Sequence, residues 1–210
     1  MRLGSFFNAL VHLSAQTGAV LGERHPGLVI EDLLVDRRDA FRGLVNGELD
    51  LAIVFEHALE PDPAPDGVEL TALFDDPPRV LLPAGHRLAR RLRVTLSDLV
   101  AETWVRAHDG SAARHVDHVL AQAGLHPPIL LAGHGDEPVE AQALVAAGKG
   151  ITIAHELNVV ISDRIAVRPL SGGAPVRHIQ AAVPAGVLAP AAGATLEALR
   201  EVARQHATRS

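Results

Sequence analysis

Apolar residues along this chain come in short runs parted by polar turns, and the runs are of two kinds. Some are continuous, as in strands covered on both faces. Leu51 to Phe55 reads this way, and Leu28 to Val35, Val80 to Leu82, Trp104 to Ala107, Ile129 to Leu131 and Ile151 to Ala154 read as further strands. Arg164 to Leu170 and Arg177 to Val183 add two more strands, and Leu3 to Phe7 opens the chain as a strand-to-helix junction. Other runs recur at helical spacing. Leu10, Val11, Leu13, Val20 and Leu21 form one stripe. Phe41, Leu44 and Val45 form a second, and Val116, Val119, Leu120 and Ala123 a third. Val139, Ala143, Leu144 and Ala147 predict a fourth, and Leu196, Leu199, Val202 and Ala203 a last helix over 195–206.

The punctuation between runs is as specific as the runs. Pro26-Gly27 stops the first helix, and Gly47, Gly124 and Gly148 stand where helix ends favour glycine. Ser5 suits an N-cap, Asp36 opens a helix, and Pro138 fits a first helical turn. Strands alternating with helices predict a parallel-rich α/β sheet. Two such sets lie on either side of Asp75-Asp76-Pro77-Pro78, because paired prolines cannot sit inside a central ladder. The expected fold class is therefore α/β, with two similar lobes and a cleft between them.

Composition narrows the function. At 210 residues, with 48% hydrophobic and 21% charged positions, the chain is an ordinary globular protein. Its formal charge of -6, from 25 acidic and 19 basic residues, is a poor footprint for a polyanion partner. The absence of cysteine excludes disulfides, thiolate metal sites and cysteine nucleophiles. Nothing approaches a membrane span or an export signal, so a cytoplasmic location is expected.

The stretch Gly47-Glu-Leu-Asp-Leu-Ala-Ile-Val-Phe55, after Arg24-His-Pro-Gly-Leu-Val-Ile-Glu-Asp-Leu-Leu-Val-Asp36, resembles the effector-binding domain of LysR-type transcription regulators. Further matching segments follow in the family's order. They are Asp75 to Ala89, the lone-tryptophan strand Trp104 to Asp109, Glu140 to His155, and a closing helix. The resemblance covers essentially the whole chain. It implies a type II periplasmic-binding-protein fold, two α/β lobes joined by two crossing strands, with a small effector in the cleft. Lobe one would comprise residues 1–76 plus 182–210, and lobe two residues 77–181. Family members begin with a winged helix-turn-helix, whereas here Met1 stands on the first strand. This chain is therefore expected not to recognise DNA by itself. The resemblance also implies a homodimer in which the first helix and second strand pack on a partner. That agrees with a first helix carrying no Asp, Glu, Lys or Arg between Arg2 and Glu23.

Ligands of two-lobed folds bind at strand C-termini beside helix N-termini, whose free N–H groups favour anions. Two junctions qualify: Ser5, Phe6 and Asn8 in lobe one, and His108, Asp109 and Ser111 in lobe two. The resemblance adds Asp36, Phe55, Arg106, His108, Gly135 and Asp136 as effector contacts. Against this, Ser5 and Ser111 read equally as helix caps, Phe55 as core, and Arg106 as the partner of Asp109. The effector suits a small anion such as a carboxylate. His115-x-x-His118 would place two imidazoles on one helix face, but no third ligand is evident. These histidines are expected at the surface, and no metal or cofactor is assigned. No nucleophile elbow or phosphate-cradling loop is present, so the chain is expected not to be an enzyme. The rival readings are a transporter's solute-binding protein and an enzyme on the same fold.

Overall fold

The computed structural model describes residues 1–57, 63–134, 139–160, 162–172 and 174–207. The chain divides into two compact units, Met1–Asp76 with Arg177–Ser210, and Pro77–Val176. It passes between them twice, at Asp76–Pro77 and at Val176–Arg177.

The first unit is built on a five-stranded sheet in the order β2-β1-β3-β11-β4. Strands β1 (Arg2–Ser5), β2 (Glu31–Leu34) and β3 (Leu51–His57) run parallel. Strand β11 (Arg177–Pro184) is antiparallel to β3 and to β4 (Val68–Asp76). The lobe boundary expected at 181/182 is corrected to 176/177, because β11 pairs with β3 and β4 from Arg177 onward. Asp50 fastens the sheet's start. Its carboxylate accepts the Arg2 backbone N–H at 2.7 Å and the guanidinium at 3.0 Å. The hydrogen bond from the Arg2 side chain, chief among these effects, holds the Asp50 carboxyl below its ordinary pKa.

The first helical run departs from regular α-geometry. It comprises α1 (Phe7–Ala9), a π-helical turn (Leu10–Ser14) and α2 (Ala15–Arg24). The buried stripe is Ala9, Leu13, Thr17 and Leu21, whereas Val11 faces outward and Val20 is only half-buried. A π turn winds more residues per turn, so a stripe counted at 3.6 slips out of phase across it. Helix α3 (Arg37–Val45) is capped by Asp36, whose carboxylate accepts the Asp39 N–H at 2.8 Å. It ends in a Schellman motif: Gly47, at φ 69°, donates to Leu44 O, and Glu48 donates to Gly43 O. The same paired bonds end α4 (Gly110–Gln122) at Gly124 and α5 (Val139–Ala146) at Gly148. Val45, expected in the core, is exposed. Helix α6 (Pro190–Ala207) starts earlier than its apolar stripe suggested, and buries Leu196, Leu199, Val202 and Ala203 as expected.

The second unit carries β5 (Pro78–Pro83), β6 (Val94–Thr95), β9 (Thr152–His155) and β10 (Ile165–Ser171) in the order β6-β10-β5-β9. Pro78 is the first residue of β5, a place where a strand tolerates proline. A parallel pair, β7 (Trp104–Ala107) and β8 (Ile129–Ala132), joins this sheet through Ile151, which donates to Thr103 O and accepts from Val105 N. Fully buried Trp104 packs there with Val80, Leu88, Leu99, Val119 and Ile153. Two stripes need correction. Ala123 is exposed as the C-cap of α4. Helix α5 buries Ala141, Gln142 and Val145 rather than Val139, Ala143 and Ala147. Its sequence is apolar almost all round, so the pattern could not choose a face. Gln142 decides it by donating to Asn158 O and accepting from Val160 N, both at 2.8 Å.

Gly150 marks a tight approach in this unit. A Cβ there would lie 2.6 Å from Thr103 O and 3.0 Å from Val105 Cγ2. The backbone oxygen cannot give way without losing its bond to Ile151. Gly150→Ala is expected to destabilise the protein by about 1–3 kcal/mol in urea denaturation. An unchanged midpoint would mean that the β7–β9 junction relaxes freely.

Candidate functional site

In the first unit the site begins where β1 ends. Ser5 is wholly buried, paired across the sheet with Leu34 and Ile53. It is not the N-cap that the sequence suggested. Phe6 holds that position in extended conformation, and no side chain caps the turn. Ser5 Oγ has no hydrogen-bond partner among the described residues. A buried hydroxyl left without a partner costs stability, so its position asks for a reason.

Next to Ser5 in sequence, Phe6 meets groups from separated parts of the chain. The Phe6 ring meets Phe55 edge-on at 4.9 Å. Phe55 is half-buried, a wall rather than a core residue, and its ring lies 5.2 Å from that of His57. The Arg177 guanidinium lies over both phenylalanines, 5.2 Å from Phe6 and 4.8 Å from Phe55. Asp76 neutralises it through Nε at 3.1 Å and a second nitrogen at 2.6 Å. Arg37 donates to Phe55 O at 3.0 Å and to Gln180 Oε1 at 3.2 Å, and its charge lies 3.9 Å from Glu56. Asn8 is buried on α1, and Asp36 spends its carboxylate on capping α3. Arg37, Arg177 and Gln180 were not legible as site residues. Nothing local in the sequence tells a strand-borne arginine at a sheet's centre from a solvated one.

In the second unit, β7 delivers Arg106, His108 and Asp109 to the start of α4. Asp109 is the N-cap, though its side chain does not cap, so Ser111 lies inside the first turn rather than at the cap. The Arg106–Asp109 pairing considered for this segment does not occur. Arg106 Nε pairs with Asp117 at 2.9 Å, and its terminal nitrogen donates to Ala107 O and His108 O. Asp109 instead meets His134 Nδ1 at 3.0 Å, and the His134 ring stacks on His108 at 4.5 Å. Gly135 and Asp136 lie outside the described residues. A cavity of about 20 Å³, room for one water, is bounded by Arg106, Ala112, Val116, Gly133, Glu140 and Thr152. Both units thus present arginines already balanced by carboxylates. Among the described residues, the Ser5 hydroxyl is one of the buried polar groups left without a partner, as is the Trp104 indole N–H.

His115, expected at the surface, is buried. It faces His155 of β9, ring centres 4.5 Å apart, rather than forming a pair with His118.

The pattern of strands, helices and Ser5 junction has a family counterpart. Residues 2–204 match the model of the LysR substrate binding domain. The chain belongs to that family. Among curated members, it is 29% identical over 164 residues to the HTH-type transcriptional regulator CbbR of Xanthobacter flavus, covering 76% of this chain and 48% of CbbR. This LysR domain thus spans about half the length of the curated relatives it matches. Among solved structures, HinK, a LysR family transcriptional regulator from Pseudomonas aeruginosa, superposes with a TM-score of 0.81 at 21% identity, over 100% of this chain and 71% of HinK. The BenM effector binding domain with its effector benzoate gives 0.78 at 19% identity, over 98% and 92% of the two chains. The α/β, type II periplasmic-binding-protein-like fold class expected from the sequence stands. No described helix is long and apolar enough to cross a membrane.

Proposed function

We propose that this LysR domain senses a small molecule for a transcription regulator, without transforming it. The observation that carries this reading is Ser5, a fully buried hydroxyl lacking a partner among the described residues at the end of β1, followed by Phe6, whose ring meets that of Phe55. A ligand oxygen would satisfy it. No base holds its hydroxyl, as a nucleophilic serine requires. The effector contacts in the first unit are Ser5, Phe6 and Phe55, with Arg177 holding the two rings. A small carboxylate fits best, accepting from Ser5 and from the backbone N–H groups that follow it at the start of the first helical run. Binding shifts the population between two states of the domain, by as much as the effector's affinities for them differ. DNA recognition is assigned to a part of the regulator outside these 210 residues, and the working location to the cytoplasm.

A thermal-shift panel of small metabolites tests this reading, since a ligand bound only by the folded state raises the melting temperature. A raised melting temperature with the compound recovered intact is expected. Conversion of the compound would support the enzyme reading instead.

We further propose that the domain is a homodimer. Phe7, Val11, Val29 and Leu34 are exposed apolar residues on α1, the π turn, the approach to β2 and β2 itself, the sheet's edge strand. Leu34 is 65% exposed and Val29 77%. Sedimentation at tens of micromolar is expected to show a dimer, and Leu34→Glu a monomer. A wild-type monomer would refute the interface.

A further inference from the structure

We propose that His115 and His155 form a binding site in the second unit for a borderline divalent cation: Zn²⁺, Ni²⁺ or Cu²⁺. This departs from the sequence expectation of no metal, which rested on the spacing of His115 and His118. The partner that matters comes from another element. Helix α4 supplies His115 and strand β9 supplies His155, with ring centres 4.5 Å apart and planes tilted by 44°. Their ligand nitrogens lie within 4.8 Å of one another. Two imidazoles sharing a metal at about 2.0–2.1 Å hold those nitrogens somewhat closer, so a rotamer adjustment of about 1 Å closes the site. Both side chains are held in place by burial, each only 5% exposed, so little conformational freedom is lost on binding.

The donor set fixes the chemistry. Neutral imidazoles suit late first-row ions and serve hard Mg²⁺ and Ca²⁺ poorly. The chain has no cysteine to compete. Val116 and Ile153, each next in sequence to the pair or two residues from it, belong to the buried apolar cluster, which shields the pair from bulk water. Two protein ligands leave positions for water, so the affinity expected is micromolar rather than that of a closed structural site.

The test is calorimetric titration of Zn²⁺ into metal-free protein at neutral pH. One ion per chain is expected, bound at least ten-fold more weakly by His115→Ala and by His155→Ala, and unchanged in His126→Ala, an exposed control. Should the alanine variants fail to fold, imidazole nitrogen NMR on the wild type decides. The signals of His115 and His155 are expected to move on adding Zn²⁺. No saturable binding, binding unaltered in both variants, or shifts confined to other histidines would overturn the proposal.

Discussion

Replacing Asp76 with alanine is expected to destabilise the protein by about 3–5 kcal/mol, measured by urea denaturation. Asp76 and Arg177 stand directly opposite one another on β4 and β11. Their side chains are 1% and 4% exposed. The cost does not arise because the pair itself is worth that much, since burying two charges consumes most of their attraction. It arises because the variant leaves a buried guanidinium without its carboxylate. Its stacking on Phe6 and Phe55 offsets only a part, about 2 kcal/mol when desolvated. The double variant Asp76→Leu with Arg177→Met removes both charges and is expected to recover most of the loss. If Asp76→Ala alone costs under 1 kcal/mol, the pair is not buried as described. The variant should also weaken binding at the proposed site, since Arg177 stacks on both Phe6 and Phe55.

Trp104→Ala is expected to cost about 3–5 kcal/mol, concentrated in the second unit. Trp104 is fully buried, and its neighbours are drawn from β5, β9, α4 and the turn after β5, so no single element can collapse into the gap. Its indole N–H has no acceptor among the described residues. Trp104→Phe discards that orphan donor along with some volume. It should therefore cost much less than Trp104→Ala. Equal costs for the two would mean that the indole N–H is satisfied in solution.

These two residues also show what the sequence discloses. Trp104 was legible, because a short, mostly apolar run of strand length between polar turns reads as a strand with a buried face. So were Asp36, Gly47, Gly124 and Gly148, whose chemistry is local: a cap needs its carboxylate, and a left-handed helix end needs glycine. Arg177 and Asp76 were not, since only the antiparallel register of β11 on β4 brings together residues so distant in sequence. The π turn at Leu10–Ser14 and the burial of Gln142 escaped for a related reason. A regular period assumes a regular helix, and an apolar helix gives no period to count. At the site, the strand-to-helix junctions at Ser5 and Asp109 could be read, but the roles within them could not. Ser5 was read as an effector contact or a helix cap, and it is a buried hydroxyl that caps nothing. Arg106 was read as an effector contact or the partner of Asp109, and it pairs with Asp117. Side-chain pairing across elements decides such roles, and sequence spacing does not encode it.

On the proposed reading, Ser5 receives a small effector that leaves unchanged. Amide NMR of the wild type titrated with small carboxylates, repeated on Ser5→Ala, tests it most directly. A bound compound is expected to shift the amides of Ser5, Phe6 and Phe55 and to be recovered intact. Ser5→Ala is expected to keep its full stability, since it loses only an unpartnered hydroxyl, while binding the compound about 2–10-fold more weakly, the worth of one hydrogen bond. Turnover of the compound, or binding that neither moves these amides nor weakens in Ser5→Ala, would contradict the account.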